Sequence, residues 1–189
     1  MIDRLRYYGR KLVLPVDEMK HIIKQSIHFD EVNSIIDFGA GTLFWSEWLL
    51  EQYQCQVYPV DISYKEKRPT AERFIFFDDI EECLKEKNVF SMIWLCDVVH
   101  HLEPSYWEYI QQIIMKKAEY IVVKDIDARK RFGNFANRMH DRIINGEKIN
   151  DVSPDNLIDN LKLNGYSVKS YNIPKLWYPH FLLVAQRNS

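Results

Sequence analysis

The chain has 189 residues, of which 47% are hydrophobic and 14% aromatic. This length and composition provide for one domain with a sizeable core and exclude global disorder. The net charge of −2 gives no overall field that attracts nucleic acid or an anionic membrane.

The cysteines and the N-terminal sequence indicate the compartment. Cys55, Cys83 and Cys96 form no CxxC motif and have no closely spaced histidine, so neither a disulfide framework nor a zinc site is indicated. The N-terminus lacks the apolar core of a signal peptide, and no apolar run approaches the roughly 20 residues of a membrane span. We therefore expect reduced thiols, no transmembrane segment and a cytoplasmic protein.

The first 30 residues are predicted to be helical. Apolar residues recur at helical spacing on both sides of Pro15, and the second set comprises Met19, Ile22, Ile23 and Ile27. We expect an N-terminal helical cap over residues 1–30, which packs against a sheet edge or covers a cleft. Residues 31–189 are expected to form the main domain.

Short apolar runs alternate with helical patterns between residues 34 and 125. The predicted strands are Ser34–Phe38, Gln56–Val60, Arg73–Phe77, Met92–Cys96 and Tyr120–Val123, and the predicted helices are Thr42–Tyr53, Ile80–Glu86 and Glu103–Met115. Strands that alternate with helices imply right-handed crossovers and a doubly wound parallel sheet.

The pattern changes after residue 127. The sequence predicts one helix over residues 128–146 and another from Ser153 to Asn164, followed directly by strands at Tyr166–Tyr171 and Phe181–Ala185. Adjacent strands without a crossover helix pair antiparallel. The sheet is therefore expected to end in an antiparallel pair.

A glycine-containing turn follows the first predicted strand. Gly39 and Gly41 permit a sharp turn and the close approach of a ligand, which the amides at the start of the next helix would face. Phe44 stands where a dinucleotide-binding motif requires a small residue, and Asp37 would repel a pyrophosphate. A P-loop is also absent, because no Gly-Lys-Ser/Thr follows.

An aspartate lies at or just beyond the carboxyl end of each of the five predicted strands up to residue 125. These residues are Asp37, Asp61, Asp78, Asp97 and Asp125. Ligands of open α/β sheets bind beyond the carboxyl ends of the strands. Carboxylates at that edge favour a ligand with a cationic part, hydroxyl groups and an amine-bearing ring, a description that S-adenosylmethionine fits.

At these motifs the chain resembles the class I S-adenosylmethionine-dependent methyltransferases, over roughly residues 30–187. The segment Asp37–Gly41 is similar to the family's acidic, glycine-rich first motif, Phe77–Ile80 to its third, and Cys96–Leu102 to its fourth, in the variant with paired histidines. The chain departs from the family at Leu43, where many members have a further glycine. The resemblance implies a seven-stranded sheet of order 3-2-1-4-5-7-6 with an antiparallel last strand and helices on both faces.

The resemblance also implies S-adenosyl-L-methionine as the cofactor and a set of residues around it. Asp61, 24 positions after Asp37, is expected to bind both ribose hydroxyls. A carboxylate at Asp78–Asp79 is expected to bind the adenine amino group. The expected cofactor-binding residues are Asp37, Gly39, Ala40, Gly41, Asp61, Ile62, Asp78, Asp79, Cys96 and Asp97.

Candidate catalytic residues follow the fourth and fifth predicted strands. An oxygen or nitrogen nucleophile often has to lose a proton, and histidine has a suitable pKa. His100 and His101 follow strand four, and Asp125 and His140 are expected to reach the acceptor, provided that the helix over 128–146 roofs the site instead of only exposing a basic face. Asp125 and Asp127 lack the acid-acid-amide arrangement of metal-dependent relatives, so no metal is expected.

The expected function is methyl transfer to a small-molecule, lipid- or sugar-linked acceptor, at oxygen in preference to nitrogen. The alternatives are a cofactor-binding regulatory module without turnover and an RNA methyltransferase. The basic run Lys124–Arg131 suits an anionic acceptor or RNA, but the whole-chain charge argues against a long nucleic-acid track. Trp107 and the segment Trp177–His180 are candidates for the acceptor side or for core packing.

Overall fold

The computed structural model describes residues 14–65, 71–87, 89–130, 150–176 and 178–188. The helices are α1 (Val16–Ser26), α2 (Phe44–Tyr53), α3 (Ile80–Glu86), α4 (Pro104–Ile114) and α5 (Pro154–Leu163), and the strands are β1 (Ser34–Phe38), β2 (Gln56–Val60), β3 (Phe90–Cys96), β4 (Ala118–Ile126), β5 (Tyr166–Asn172) and β6 (His180–Arg187). Short 3₁₀ helices cover Phe29–Glu31, Ile62–Lys65 and Val99–His101.

The strands form one mixed sheet in the order β2-β1-β3-β4-β6-β5. The first four strands are mutually parallel, and β6 pairs antiparallel with both β4 and β5. The connection from β5 to β6 holds no helix, which is why these two strands run in opposite directions. The predicted antiparallel ending is confirmed.

The sheet has six strands in the described residues, so the predicted seven-strand count and order are not confirmed. The predicted strand Arg73–Phe77 is reduced to a single parallel bridge between Val60 and Phe77. The Phe77 N–H donates to the Pro59 carbonyl at 3.0 Å, and the Asp61 N–H donates to the Phe77 carbonyl at 3.1 Å. Proline lacks the N–H that would extend this ladder to the carbonyl of Ile75, so pairing stops after one bridge.

Two apolar clusters cover the two faces of the sheet. Alternate residues of the central strands point to opposite faces, as Ile35 and Ile36 of β1 do. Helices α1 and α2 pack on one face and α3, α4 and α5 on the other. The result is a three-layer α/β/α sandwich whose central strands are apolar on both sides, as expected of parallel strands.

Several predictions concern residues outside the described ranges. The first half of the predicted cap, most of the predicted helix over 128–146 with the candidate His140, and Trp177 all lie there. Residues 128–130, the described part of that helix prediction, form a turn. Among the described helices, none is long and apolar enough to cross a bilayer.

Candidate cofactor and acceptor site

The glycine turn joins the carboxyl end of β1 to that of β2. The N–H groups of Gly39 and Ala40 both donate to the Val60 carbonyl, at 2.8 and 3.2 Å. Gly39 has a φ of +77°, and a Cβ built on it would lie 2.5 Å from Cγ2 of Val98. Glycine is thus required here by the close approach of Val98, whereas the sequence suggested that it makes room for a ligand.

Gly41 is the turn residue with space in front of it. Its φ is +48°, and a Cβ built on it would meet only Oδ2 of Asp61, at 3.9 Å. Its N–H donates to that oxygen at 2.8 Å, and its carbonyl accepts from the Tyr64 hydroxyl at 3.1 Å. The turn is therefore fixed from two sides by residues that follow β2.

Leu43, which departs from the family pattern, has the backbone conformation that glycine favours. Its φ is +65° and ψ is +12°, and it immediately precedes the first residue of α2. The left-handed conformation costs about 1–2 kcal/mol for a residue with a Cβ. The Leu43 side chain is only 4% exposed and packs in the cluster of α1 and α2, so its burial offsets that cost.

Asp61 follows β2 and is half-buried. Its Oδ2 accepts from Gly41, and its Oδ1 accepts from the Ser63 N–H at 2.9 Å and from the Ser63 hydroxyl at 2.5 Å. A carboxylate has about four acceptor positions, so these three bonds do not exhaust its capacity. Ile62, the next residue, is 76% exposed and presents an apolar surface beside the carboxylate.

Asp37 is enclosed beneath the turn. It is 1% exposed, and its Oδ2 accepts from the Ser46 hydroxyl of α2 at 2.5 Å. Burial raises the pKa of Asp37 to about 7, against the lowering effect of the Ser46 hydrogen bond. The residue thus ties β1 to α2, and its carboxyl carries less negative charge near neutral pH than the sequence suggested.

Asp78 and Asp79 follow the Phe77 bridge at the β2 edge of the sheet, and both are half-buried. Oδ1 of Asp79 accepts from the Glu81 N–H at 2.6 Å, which makes Asp79 the N-cap of α3. This cap fixes the start of α3 beside the carboxyl ends of β1 and β2.

Asp97 follows β3 in a left-handed conformation with φ of +54°. One of its oxygens accepts from Nζ of Lys124, a lysine with no exposed surface on the neighbouring strand β4. Burial alone would raise the pKa of Asp97, but the charge of Lys124, with contributions from His180 and His100, holds it below its usual value. Burial also raises the pKa of the adjacent Cys96 thiol, so Cys96 is protonated at neutral pH.

His100 and Asp125 form a buried pair. Nδ1 of His100 lies 2.5 Å from Oδ1 of Asp125, and the His100 backbone N–H donates to Oδ2 at 3.2 Å. The Ile126 N–H also donates to Oδ1, at 2.8 Å. The His101 ring lies against the His100 ring at a centroid distance of 4.1 Å but is exposed.

The match to a known family settles what kind of protein this is. Residues 13–171 match the family described as Methyltransferase domain. The chain belongs to this family. A search of curated protein sequences gives no match.

Solved structures share the fold of this methyltransferase. A SAM-dependent methyltransferase from Archaeoglobus fulgidus is 17% identical, with a TM-score of 0.71, and the alignment covers 97% of this chain and 99% of that one. The 1,6-didemethyltoxoflavin-N1-methyltransferase of Burkholderia thailandensis, solved with S-adenosylhomocysteine, is 14% identical, with a TM-score of 0.66 and coverage of 97% and 84%. The fold is the Rossmann-like α/β fold of class I methyltransferases, and the predicted family and cofactor, S-adenosylmethionine, are confirmed.

The described residues of the methyltransferase fit this cofactor at one corner of the sheet. Gly41 faces open space, Asp61 retains acceptor capacity, and Ile62 presents an apolar surface beside it. A ribose needs an acceptor for its hydroxyls and an adenine ring needs an apolar face, so these residue types match the two groups. Among the described residues, no group of three or more His, Cys, Asp or Glu side chains is arranged to hold a metal ion.

The partners of the predicted residues were not predicted from the sequence. Ser63 and Ser46 bond to Asp61 and Asp37, and Lys124 was taken as part of a basic run although it is buried against Asp97. The signal for Ser63 was its position two residues after an aspartate, which is typical of an Asx turn. Lys124 could have been recognised as a charged residue within an apolar strand, since such a residue needs a buried partner.

Proposed function

We propose that this methyltransferase transfers a methyl group to an oxygen of a small-molecule, lipid- or sugar-linked acceptor, with His100 as the general base and no metal. The observation that carries this proposal is the 2.5 Å contact between Nδ1 of His100 and Asp125. S-adenosylmethionine, when bound, supplies a methyl group on a positively charged sulfur. The residues of the chain have to bind, orient and deprotonate the acceptor.

Asp125 is proposed as the residue that orients His100. With the proton on Nδ1 directed to Asp125, the lone pair of the ring is on Nε2, which is the tautomer that a base needs. Asp125 also stabilises the imidazolium after proton uptake. Three hydrogen bonds already engage its carboxylate, from the His100 ring, the His100 N–H and the Ile126 N–H, which disfavours a role as a metal ligand.

The cofactor is proposed to lie against Gly39–Gly41, with Asp61 and Ile62 on one side and Asp78, Asp79, Cys96 and Asp97 along the rim. Asp37 is proposed to support the turn through Ser46. His101 and His140 remain candidates for contacting the acceptor. Residues 1–30 are proposed as a cap on the main domain, supported by the burial of Val16, Met19 and Ile23 of α1.

The charges near the site favour a small acceptor over RNA. Lys124 is buried against Asp97, and Arg129 is held by Asp127 and Asp155, so two members of the basic run already have acidic partners. Cys55, Cys83 and Cys96 are free thiols, which supports the proposal of a reducing, cytoplasmic compartment.

Transfer of a labelled methyl group to a panel of phenolic and sugar alcohols tests the proposal. With an acceptor identified, His100→Ala should lower kcat at least tenfold, while the exposed control His21→Ala should not change it. Asp125→Asn should shift the acidic limb of the pH profile, because the pair then loses its orienting charge. A methylated nitrogen, or a His100→Ala enzyme with the wild-type pH profile, would contradict the proposal, and S-adenosylhomocysteine binding without transfer to any acceptor or RNA would favour the regulatory module.

A further inference from the structure

Helices α4 and α5 are separated by a groove with a mixed polar and apolar lining on one face of the sheet. One concavity of about 210 Å³ lies between them, and a second of about 270 Å³ shares Glu108, Gln111 and Asn160 with it. The lining residues recur at helical spacing, with Trp107, Glu108 and Gln111 on α4 facing Asn156 and Asn160 on α5. Facing positions of packed helices are usually apolar, whereas Glu108, Gln111 and the two asparagines bring polar groups to this groove.

Gln111 is the group in this groove that lacks a partner. Its side chain is 6% exposed, and its Nε2 has no hydrogen-bond partner among the described residues. A buried amide N–H without a partner is unfavourable, because it has lost its hydrogen bond to water. Nε2 has almost no accessible surface, so a ligand oxygen in the groove reaches it once the side chain turns towards the ligand, and the hydrogen bond would then remove this cost.

The lining residues restrict the charge of such a ligand. Glu108 and Asp151 are acidic, and no lysine, arginine or histidine lines either concavity in the described part of the chain. An anion such as a phosphate would therefore be repelled. A simple cation has no acceptor atom for the N–H of Gln111, whereas a neutral ligand with acceptor oxygens meets neither difficulty.

We propose that this groove binds a neutral sugar ring. Amide side chains offer a donor and an acceptor side by side, which matches hydroxyl groups that both donate and accept. Trp107 is half-buried in the lining and supplies an aromatic surface for the apolar face of a sugar ring. The first concavity is smaller than the roughly 300 Å³ at which pockets for drug-sized ligands begin, so it suits a single ring.

The groove adjoins the proposed base. Val99 and Leu102, on either side of the histidine pair, line it. Asn150, also in the lining, donates its backbone N–H to the His100 carbonyl and its side-chain Nδ2 to the Leu102 carbonyl, both at 2.7 Å. This inference rests on the proposed function. The acceptor would be sugar-linked, with one ring held in the groove and the reacting hydroxyl directed towards His100.

Nuclear magnetic resonance of the ¹⁵N-labelled full chain tests the inference through the side-chain amide signals. The probes are methyl glycosides of glucose, galactose and mannose, together with methyl ribofuranoside, which distinguishes a nucleoside source from a glycan source. At least one probe should bind with a millimolar dissociation constant and shift the Gln111 amide signal. Inorganic phosphate and tetramethylammonium should not shift it.

Substitutions in the groove separate binding from stability. Gln111→Met retains the length of the side chain and should weaken sugar binding at least tenfold without lowering the melting temperature, because the unpaired amide is removed. The exposed Asn160→Ala should weaken binding as well, whereas Gln25→Met, at an exposed position of α1 on the other face, should not. No sugar shift at tens of millimolar, a shift with tetramethylammonium alone, or unchanged sugar binding in Gln111→Met would overturn the inference.

Titration of the same samples with S-adenosylhomocysteine distinguishes this inference from the proposed function. Binding of S-adenosylhomocysteine without any sugar binding would overturn the groove site and leave the methyl-transfer proposal in place. Sugar binding without S-adenosylhomocysteine binding would remove methyl transfer and support the groove alone.

Discussion

The close approach of Val98 to the glycine turn makes Gly39→Ala a quantitative test of the site. The added Cβ would lie 2.5 Å from Cγ2 and 2.7 Å from Cβ of Val98. Forcing an extra atom into a packed contact costs about 1–3 kcal/mol. The φ of +77° adds the strain of a left-handed residue with a Cβ, about 1–2 kcal/mol. We therefore expect Gly39→Ala to lower the free energy of unfolding by about 2–5 kcal/mol.

Gly165→Ala is the matched control. Gly165 has a φ of +83°, and a Cβ built on it would meet nothing within 4 Å. This variant should lose only the conformational part, about 1–2 kcal/mol. Urea unfolding of both variants, followed by circular dichroism, measures the difference, which is the cost of the overlap with Val98. Equal losses in the two variants would refute the close contact between Val98 and the turn.

Three further sets of substitutions test buried groups of the site. Burial raises the pKa of Asp37 from 3.8 to about 7, so the folded protein retains a proton that the unfolded chain loses. Stability should therefore fall by roughly 4 kcal/mol as the pH rises from about 4 to about 7. The free energy of unfolding of Asp37→Asn, measured with urea, should not show this fall with pH. The same pH dependence in Asp37→Asn and in the wild type would contradict the raised pKa. Leu43→Gly should be about 1 kcal/mol less destabilising than Leu43→Ala, because the φ of +65° favours glycine; the reverse order in thermal unfolding would refute the left-handed conformation. Lys124→Met should destabilise by about 3–5 kcal/mol because it leaves Asp97 uncompensated, and a second substitution, Asp97→Asn, should restore most of the loss. Additive losses in that double-mutant cycle would argue against the pair.

The strands were predictable where both faces of the sheet are covered. The bounds of β1 and β2 agree with the sequence prediction, because strands buried on both faces appear as short apolar runs between turn residues. The predicted strand Arg73–Phe77 has the same kind of sequence and yet forms only one bridge. Its pairing is limited by Pro59 in the neighbouring strand, and a pattern within the segment itself does not contain that information.

The positions of the site residues could be predicted from the sequence, but the contacts between their side chains could not. Asp61, Asp97 and Asp125 were identified because each follows or ends a predicted strand. The contacts of Asp97 with Lys124 and of Asp125 with His100 join residues 27 and 25 positions apart. These contacts depend on the register between β3 and β4, which the sequence of neither strand specifies.

The charge of the carboxyl groups in the site also differs from what the sequence suggested. The sequence suggested a row of anionic side chains, but Asp37 is buried with a raised pKa and Asp97 is compensated by Lys124. Burial and partners determine whether a carboxyl is charged, and both depend on the tertiary structure. The negative charge along this edge of the sheet is therefore lower than the sequence suggested.

Asp61 is proposed to hold the cofactor at the corner formed by the glycine turn and the end of β2. Calorimetric titration with S-adenosylhomocysteine tests it directly, with Asp61→Ala compared with Asp159→Ala, an exposed aspartate of α5. We predict micromolar binding to the wild type and to Asp159→Ala, and at least tenfold weaker binding to Asp61→Ala. Binding of equal strength to all three proteins, or to none of them, would contradict this role of Asp61.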